Sequence, residues 1–531
     1  MDGVAAYCCL LLLLALLPLV YTSIRSRTRF LRLRVGRGSG SGSHHGGGGP
    51  RPRLPPGPWR LPVIGSVHHL VGALPHRALQ GLSRRHGPLM LLKLGEVPVM
   101  VASSAEAARE IMKTQDHVLC TRPLSSCAGV LNERGHGITF APYGDKWRQM
   151  RKVCIQALLN ARCVGSFRRV REEAAVRFVR SIVVSALDQL EPVNLSRMIA
   201  AYGMDTTVHS VMGRRFKEQD ALLHYVDEAV RVVSQLTVSD MFPSWRLLRG
   251  LSGTLRRAVA FRDSSLAFMD RVICDHLESR RRRSAAAVRR LPEEEDDVIN
   301  VLLKIQRDQG NDLQFPLTMD NVKAVLFDIL AGGSEAPVTT LQWAMAELMQ
   351  NPSVMSRAQA EVRGVFTVEG VTEEGLGQLS YLHCVIKETL RLHTPGPMLL
   401  PRECQEPCTV LGYDVPRGTI LLVNAWAISR DSQYWDQPEA FLPDRFMATT
   451  TDYKGNHFEF TPFGAGWRIC PGMLFGLANI ELALASLLFY FDWALPDGLL
   501  PGGLDMTEAM GITARRKEDL RVHATLRVPL P

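Results

Sequence analysis

The cysteines of this sequence show no repeated spacing. There are 11 among 531 residues, an odd number, and no two of them form a Cys-x-x-Cys pair. Cys404 and Cys408 lie in a polar segment that contains proline but no histidine at the spacing of a zinc site. The pattern therefore argues against a disulfide framework and against structural zinc, and it predicts buried thiols in a reducing compartment.

Dense basic stripes and internal repeats are also lacking. The net charge of +9 is modest, and much of the positive excess falls in the first 60 residues. Because no basic stripe interleaved with aromatic residues follows, a nucleic-acid partner is not expected. With 46% hydrophobic and 22% charged residues the composition is globular, and length alone would suggest about three domains.

Charge is absent from Gly3 to Ile24, which as a helix would extend roughly 30 Å, enough to cross a bilayer. Six arginines follow between Arg25 and Arg37, whereas only Asp2 precedes the apolar run. By the positive-inside rule, the body of the chain would face the cytosol. A cleaved signal peptide would need a basic segment before the run and a small-residue cleavage site after it, and neither is present. We therefore expect a transmembrane anchor over residues 1–24.

Residues 25–54 form a basic, glycine- and serine-rich segment that is typical of a flexible linker. The chain from Leu54 to Pro58 reads Leu-Pro-Pro-Gly-Pro, which must be extended because each proline fixes its own φ and restricts its predecessor. Anchor, linker and stiff hinge thus precede a body that is expected over residues 55–531.

The body reads as mainly α with minor β, because most segments after Pro58 have helical periodicity. Strand-like stretches occur at Leu89 to Val101, Cys408 to Val423 and Leu520 to Val528. A run of arginines over residues 280–290 is followed by five acidic residues at 293–297, and this pair of opposite charge blocks predicts a solvated loop between helices.

One short segment carries the strongest chemical signal. It reads Phe-Gly-Ala-Gly-Trp-Arg-Ile-Cys-Pro-Gly from Phe463 to Gly472 and precedes an apolar helical run. Its glycines let the chain curl around Cys470, which lies at the start of a helix whose positive end favours a thiolate over a thiol. Backbone N–H groups of such a loop can hydrogen-bond the sulfur and tune a bound metal. A phosphate-binding turn would need a following Lys-Ser/Thr pair within a βαβ unit, and both are missing.

The segment resembles the haem-binding loop of the cytochrome P450 family almost residue for residue. The resemblance extends from the hinge at Pro55 to the tail at 506–522, and it is closest to the plant microsomal group. It implies one large α-rich haem domain with an N-terminal transmembrane helix, instead of three domains. It also implies haem b as cofactor, with Cys470 as the axial ligand of the iron, Phe463 beside it and Arg468 paired with a haem propionate.

Further site residues are implied by the same resemblance. Trp147 and Arg151, at i and i+4 on one helix, correspond to the pair that the family gives to the haem propionates. Glu388 and Arg391, at i and i+3, can pair on one helix face, and the family ties them to a third residue, here Arg445. This triad would be structural and not catalytic.

The predicted helix from Met319 to Met349 departs from the family pattern, which is a small residue, glycine, any residue, an acid and threonine. Gly332, Gly333 and Glu335 match the pattern, and Gly333, Ser334 and Glu335 are the predicted catalytic residues, but Ala336 replaces the threonine. Pro337 removes a backbone donor and should open the helix one turn back. The threonine normally helps to relay protons to dioxygen. Ordered water, Ser334 or a substrate hydroxyl could take its place.

The resemblance implies a monooxygenase that uses O2 and electrons from NADPH through NADPH–cytochrome P450 reductase, in the endoplasmic reticulum membrane, with a single span and a cytosolic catalytic domain. The segment Asp240-Met241-Phe242-Pro243 resembles those of plant enzymes that oxidise terpene hydrocarbons. This resemblance implies a hydrophobic plant specialised metabolite, such as a sesquiterpene or diterpene, as the small-molecule substrate. The alternatives are an isomerase or dehydratase that does not activate O2, and a non-catalytic membrane haem protein. The segments expected to line the substrate pocket are 125–137, 206–212, 236–245, 326–331, 397–400 and 510–513.

Overall fold

A computed structural model describes residues 52–131, 137–187, 191–213, 219–234, 237–245, 253–286, 297–308, 313–496, 498–509 and 511–530. Residues 53–531 form one compact unit. The predicted transmembrane anchor at 1–24 and nearly all of the predicted linker at 25–54 lie outside the described residues.

Helices dominate the described chain. Their bounds are α1 Pro75–His86, α2 Ala105–Arg109, α3 Asp116–Leu119, α4 Ser126–Leu131, α5 Asp145–Cys154, α6 Ala161–Ser166, α7 Arg168–Ala186, α8 Leu195–Met212, α9 Gln219–Ser234, α10 Val238–Met241, α11 Gly253–Ala286, α12 Val298–Asp308, α13 Met319–Gln350, α14 Pro352–Val365, α15 Glu373–Leu376, α16 Ser380–Leu392, α17 Ala425–Ile428 and α18 Met473–Tyr490. Short 3-10 turns occur at Val67–Leu70, Pro443–Phe446, Gly466–Arg468 and Pro501–Gly503, and π-helical turns extend α2 over Glu110–Thr114 and α5 over Ile155–Leu159.

The strands form four small sheets. Their bounds are β1 Leu89–Leu94, β2 Val97–Ala102, β3 Val193–Asn194, β4 Arg402–Glu403, β5 Cys408–Val410, β6 Tyr413–Val415, β7 Ile420–Val423, β8 Phe491–Ala494, β9 Glu508–Ala509, β10 Arg515–Arg516 and β11 Arg521–Leu526. The largest sheet has the order β1-β2-β7-β4, in which β2 and β7 are parallel and the other pairs antiparallel. The remaining sheets are β3-β11-β8, β5-β6 and β9-β10.

Helix α13 connects the two largest hydrophobic cores. A capping box between Thr318 and Asn321 starts the helix. Its first half packs in a core with α8, α11 and α12, and its last turns pack in a core with α7, α16 and α18. The segment between these halves, residues 331–340, faces the functional cavity on one side. The side chains of this segment are therefore presented from a rigid element fixed at both ends.

Most predictions of secondary structure are confirmed. The three strand-like stretches contain β1 and β2, β5 to β7, and β11. The mainly α fold with minor β is confirmed as well. The segment from residue 52 to 60 has no helix, as its prolines require, and the amide of Leu91 on β1 donates to the carbonyl of Pro56.

The predicted solvated loop at the charge blocks is wrong in its first half. Helix α11 continues through the arginine run to Ala286, and the described side chains of Arg281 and Arg282 are exposed on it. Basic side chains in the last turn of a helix interact favourably with the negative end of its dipole, so the run extends the helix. The acidic block at 293–296 lies outside the described residues.

One described helix, α18, is long and apolar enough to cross a membrane. It is mostly buried in the larger core, and it is apolar on all sides because neighbouring helices surround it. We therefore interpret α18 as a core helix.

Candidate active site

A cavity of about 490 Å³ lies between α13, the loop that carries Cys470, and helices α9 and α11. Its walls are mainly apolar, with Phe140, Phe261, Phe327, Phe475 and Ile512 among them. Two carboxylates, Asp328 and Glu335, line it within the described part of the chain. A cavity of this size and character fits a small hydrophobic ligand.

The structure places some of the predicted lining segments on the cavity wall and not others. Residues of 326–331, 397–400 and 510–513 line the cavity, and 125–137 contributes Gly137. The predictions for 206–212 and 236–245 are wrong, since no described residue of either lies on the wall. In segment 206–212 every residue except His209 is buried, and its apolar side chains pack in the core. Segment 236–245 packs instead against the β1–β2 turn, where the Glu96 amide donates to the Met241 carbonyl.

The Cys470 loop closes through its own backbone. The Cys470 amide donates to the Phe463 carbonyl at 3.0 Å, and the Ile469 amide to the Gly466 carbonyl at 3.0 Å. Gly466 has φ +69°, and a Cβ there would lie 2.0 Å from the Met112 carbonyl oxygen, so only glycine fits. The loop is thus held against the π-helical turn that follows α2.

The thiol of Cys470 is surrounded by protein, and the surface that it exposes faces the cavity. The Gly472 amide, at the N-cap of α18, donates to the sulfur. Burial is nevertheless the largest effect and raises the pKa of the Cys470 thiol, although the Gly472 amide and Arg151 act in the opposite direction. The amide at the helix start therefore acts in the expected direction, and the positive charge of a bound metal would have to displace the proton against the effect of burial.

Four arginines converge on the wall of the cavity near Cys470, namely Arg122, Arg151, Arg402 and Arg468. Among the described residues, only Arg402 has a carboxylate partner, Asp116. Burial and the neighbouring guanidinium groups lower the pKa of Arg122 well below its ordinary value and that of Arg468 to about 10. This cluster has an excess of positive charge that an anionic ligand would neutralise.

The guanidinium groups meanwhile donate to backbone carbonyls. Arg468 donates to Cys120 at 2.8 Å and to Ala141 at 2.7 Å, and Arg122 donates to Leu400 and Pro401. The Nε of Arg122 is buried and has no hydrogen-bond partner within the described structure. A buried unpaired donor is costly, so this atom marks a place where an acceptor is missing.

The other predicted cofactor residues lie around the same loop. Arg151 donates to the Ile469 carbonyl at 2.5 Å, and Phe463 lines the cavity. Trp147 is buried behind the wall, where its indole N–H donates to the Ile138 carbonyl at 2.9 Å and its ring lies 3.9 Å from the Arg468 guanidinium carbon. The structure therefore places Trp147 against Arg468, and the indole N–H of Trp147 is already hydrogen-bonded to a backbone carbonyl.

The predicted triad is assembled away from the cavity. Glu388 and Arg391 are fully buried on α16 and form two hydrogen bonds of 2.8 Å, while Arg445 Nε donates to Glu388 Oε1 at 3.0 Å. Arg391 also donates to the carbonyls of Ser429 and Pro438. One carboxylate thus joins α16 to the segment around residues 429–445.

Helix α13 remains α-helical across Pro337, so the predicted opening of the helix one turn before this proline is absent. Pro337 has no amide donor, and the Gly333 carbonyl therefore lacks its usual helical partner. Gly333 and Ala336 line the cavity. A Cβ at Gly333 would lie 3.1 Å from Thr207 and 3.3 Å from Phe475, so glycine allows close packing there. The expectation for Ser334 is not met, because its hydroxyl is buried off the wall and donates to the Leu330 carbonyl at 2.6 Å.

Glu335 lies on the cavity wall and is buried. Its carboxylate accepts two charge-assisted hydrogen bonds from Arg515 of β10 and one from the Thr513 hydroxyl at 2.6 Å. Arg515 also donates to Asp227 of α9 at 2.9 Å. The carboxylate is therefore fixed from the C-terminal part of the chain.

Asp328 joins α13 to the segment that follows the undescribed residues 132–136. One of its carboxylate oxygens accepts the amides of Ile138 at 2.7 Å and Thr139 at 3.2 Å. Burial raises the pKa of Asp328, and these hydrogen bonds oppose the effect. Since Trp147 and Arg468 both donate to the Ile138 carbonyl, Asp328 stabilises one wall of the site.

Asp328→Ala should destabilise the cavity wall around Ile138 and Thr139. Two buried amides would lose their acceptor, at a cost of about 1–3 kcal/mol each, so hydrogen exchange at Ile138 and Thr139 should accelerate by about tenfold or more. Asp320→Ala is the matched control, because Asp320 is exposed in the first turn of the same helix. Equal exchange rates in the two variants would contradict this role of Asp328.

Several site residues were missed from the sequence. Neither Arg122 nor Arg402 lies in a sequence pattern that marks it as a site residue. Thr513 lies in a predicted lining segment, but its hydrogen bond to Glu335 joins residues that are 178 positions apart along the chain. Long-range pairs of this kind have no local spacing to reveal them.

Comparisons with known proteins agree with this geometry. The chain matches the sequence model of the family described as Cytochrome P450 over residues 55–516. It is 46% identical to zealexin A1 synthase of Zea mays, covering 88% of this chain and 92% of that protein. It is 44% identical to 5-epiaristolochene 1,3-dihydroxylase of Nicotiana tabacum, covering 89% and 93%. A zebra fish cytochrome P450 determined with progesterone has the same fold, with a TM-score of 0.72 at 24% identity, over 86% of this chain and 100% of that one.

Proposed function

The chain belongs to the cytochrome P450 family, and on this premise we propose that it is a haem-thiolate monooxygenase that oxidises a hydrophobic plant specialised metabolite, such as a sesquiterpene or diterpene. The observation that carries the proposal is the exposure of the Cys470 sulfur to an apolar cavity beneath a cluster of arginines.

The residues present fit haem. Cys470 offers a thiolate to the iron, and the unpaired Arg122 Nε together with the excess guanidinium charge suits two propionates. We assign Arg468, Arg151, Arg122 and Arg402 to the propionate side. Trp147 would position Arg468, and Phe463 would pack beside the sulfur. When bound, haem supplies the activation of dioxygen and the insertion of one oxygen atom into the substrate.

The protein's own part lies in positioning and in proton supply. The Gly472 amide holds the sulfur, and the apolar wall excludes water from the bound substrate. Gly333 allows α13 to pack closely against Phe475. Glu335 is the carboxylate nearest in sequence to the glycines of the wall and is proposed to hold a proton at its carboxylate oxygens.

The cavity itself supports the substrate class. Its aromatic and aliphatic lining on the side of α9, α11 and α13 would bury a hydrocarbon skeleton beside the haem. The relatives named for such substrates include premnaspirodiene oxygenase of Hyoscyamus muticus, at 43% identity. We further propose that electrons come from NADPH through a membrane-bound reductase and that residues 1–24 anchor the chain in the endoplasmic reticulum.

The test is turnover in microsomes that contain the full chain and NADPH–cytochrome P450 reductase. A panel of sesquiterpene and diterpene hydrocarbons should give at least one product that carries oxygen from 18O-labelled O2 and that requires NADPH. Product formed without NADPH or without the label would indicate an isomerase or dehydratase instead. Binding of haem without oxidation of any panel member would contradict the proposed substrate class.

A further inference from the structure

A series of hydrogen-bonded polar side chains leads from the cavity to the protein surface. It begins at Thr513 on the wall, passes to Glu335, continues to Arg515 and ends at Asp227. The exposure of these side chains increases along it, from 10% at Glu335 to 35% at Arg515 and 50% at Asp227. No other feature of the described cavity wall combines a hydroxyl, a carboxylate and a route to solvent.

From this geometry we propose that Thr513 supplies the hydroxyl of the proton path into the cavity, with Arg515 positioning Glu335 behind it. The proposal rests on the proposed function, because monooxygenation of a substrate by O2 consumes protons that must enter a mainly apolar cavity. Position 336 cannot provide a hydroxyl, since it is alanine.

The other hydroxyls on the described wall are committed elsewhere. Thr340 donates to the Ala336 carbonyl at 2.9 Å, and Ser265 donates to the Arg262 carbonyl at 2.9 Å. Thr139 is hydrogen-bonded to Asp328, whose carboxylate is already engaged by two backbone amides. Only Thr513 therefore connects the wall to a carboxylate that has a route to solvent.

The proton transfer balances at each oxygen. In the observed state, Thr513 Oγ1 donates to Glu335 Oε1. Water beside the partly exposed Arg515 gives a proton to the Glu335 carboxylate. The hydrogen bond then reverses: Thr513 gives its own proton to the cavity and takes the proton of Glu335, which returns to a carboxylate. One O–H bond breaks and one forms at Thr513, so the hydroxyl is regenerated for the next turnover.

Arg515 holds this arrangement without carrying the proton, because a guanidinium does not deprotonate in proteins. Its side chain bridges Glu335 and Asp227, and so ties α13 to α9 beside the cavity. Burial lowers the pKa of Arg515, but its hydrogen bonds to these two carboxylates and their negative charges outweigh burial and raise the pKa overall. Glu335 is thus fixed in the orientation that Thr513 needs.

The first arm of the test measures coupling, the amount of product formed per NADPH consumed. Thr513→Val keeps the shape of the side chain and removes the hydroxyl, and coupling should fall by about tenfold or more while hydrogen peroxide rises. Thr513→Ser should retain coupling. Adding Ala336→Thr to Thr513→Val should restore it, because Ala336 also faces the cavity.

Thr339→Val is the matched control. Thr339 is on the same helix as Glu335, but its hydroxyl is buried off the cavity wall and has no partner within the described structure. Coupling in this control should equal that of the wild type. If Thr513→Val also matches the wild type, or if Thr339→Val lowers coupling as strongly, the proposal for Thr513 is overturned.

The second arm needs no turnover. Carbon monoxide bound to the reduced full-length protein occupies the cavity, and its infrared stretching frequency responds to nearby hydrogen-bond donors. The frequency should shift in Thr513→Val and remain at the wild-type value in Thr513→Ser and Thr339→Val. Identical frequencies in all four proteins would overturn the proposal. A protein that shows the predicted shift but oxidises no substrate would refute the proposed function and leave the placement of Thr513 supported.

Discussion

Replacing Cys470 with serine should abolish both the red-shifted Soret band of the reduced carbon monoxide complex and all NADPH-dependent turnover. That band requires a thiolate opposite the bound carbon monoxide, and Cys470 is the cysteine that the structure exposes to the cavity beneath the arginine cluster. A serine hydroxyl is a poor substitute, because it is a harder ligand and gives up its proton far less readily. The spectrum of dithionite-reduced microsomes with carbon monoxide measures the effect.

Cys274→Ser is the control for the loss of a thiol as such. Cys274 is exposed on α11 and does not line the cavity, so this variant should give a wild-type spectrum and wild-type turnover. If Cys470→Ser retained the red-shifted band, another residue would be the ligand, and the assignment of the active site would be refuted.

The Cys470 loop could be predicted from the sequence because its chemistry is local. Two glycines, one cysteine and a following helix lie within a few residues, and the structure adds long-range contacts such as the packing of Gly466 against Met112 and the hydrogen bond from Arg151 to the Ile469 carbonyl. The arginine cluster could not be predicted in the same way. Arg122 and Arg468 lie 346 positions apart in the sequence, and only the fold brings their side chains to one wall.

Apolar composition alone also failed to separate cavity wall from core. Segments 206–212 and 326–331 are both helical and both predicted on the wall, but the first is buried within α8 away from the cavity, whereas the second contributes Phe327, Asp328 and Ile329 to the wall. Ser334 shows the same limit for a single residue. Its neighbours Gly333 and Glu335 reach the cavity, but position 334 points to the other side of α13 and bonds back to the helix.

Removal of Arg391 should lower the free energy of unfolding by about 3–5 kcal/mol, because it leaves the Glu388 carboxylate buried with too few partners. Such a loss is a large fraction of the total stability of an ordinary protein. Arg391→Met keeps most of the apolar volume and removes the charge. Microsomes with this variant should contain little haem-loaded protein, and urea should abolish the carbon monoxide band at a lower concentration than in the wild type.

The exposed ion pair of Arg169 with Glu173 provides the control. The Arg169 side chain is 87% exposed, so Arg169→Ala should change stability by no more than about 1 kcal/mol. Arg445→Ala should fall between the two, because Arg445 gives Glu388 one hydrogen bond, whereas Arg391 gives it two. The predicted order of destabilisation is therefore Arg391, then Arg445, then Arg169. An Arg391 variant as stable as the Arg169 variant would show that the buried carboxylate of Glu388 does not hold α16 to the segment around residues 429–445.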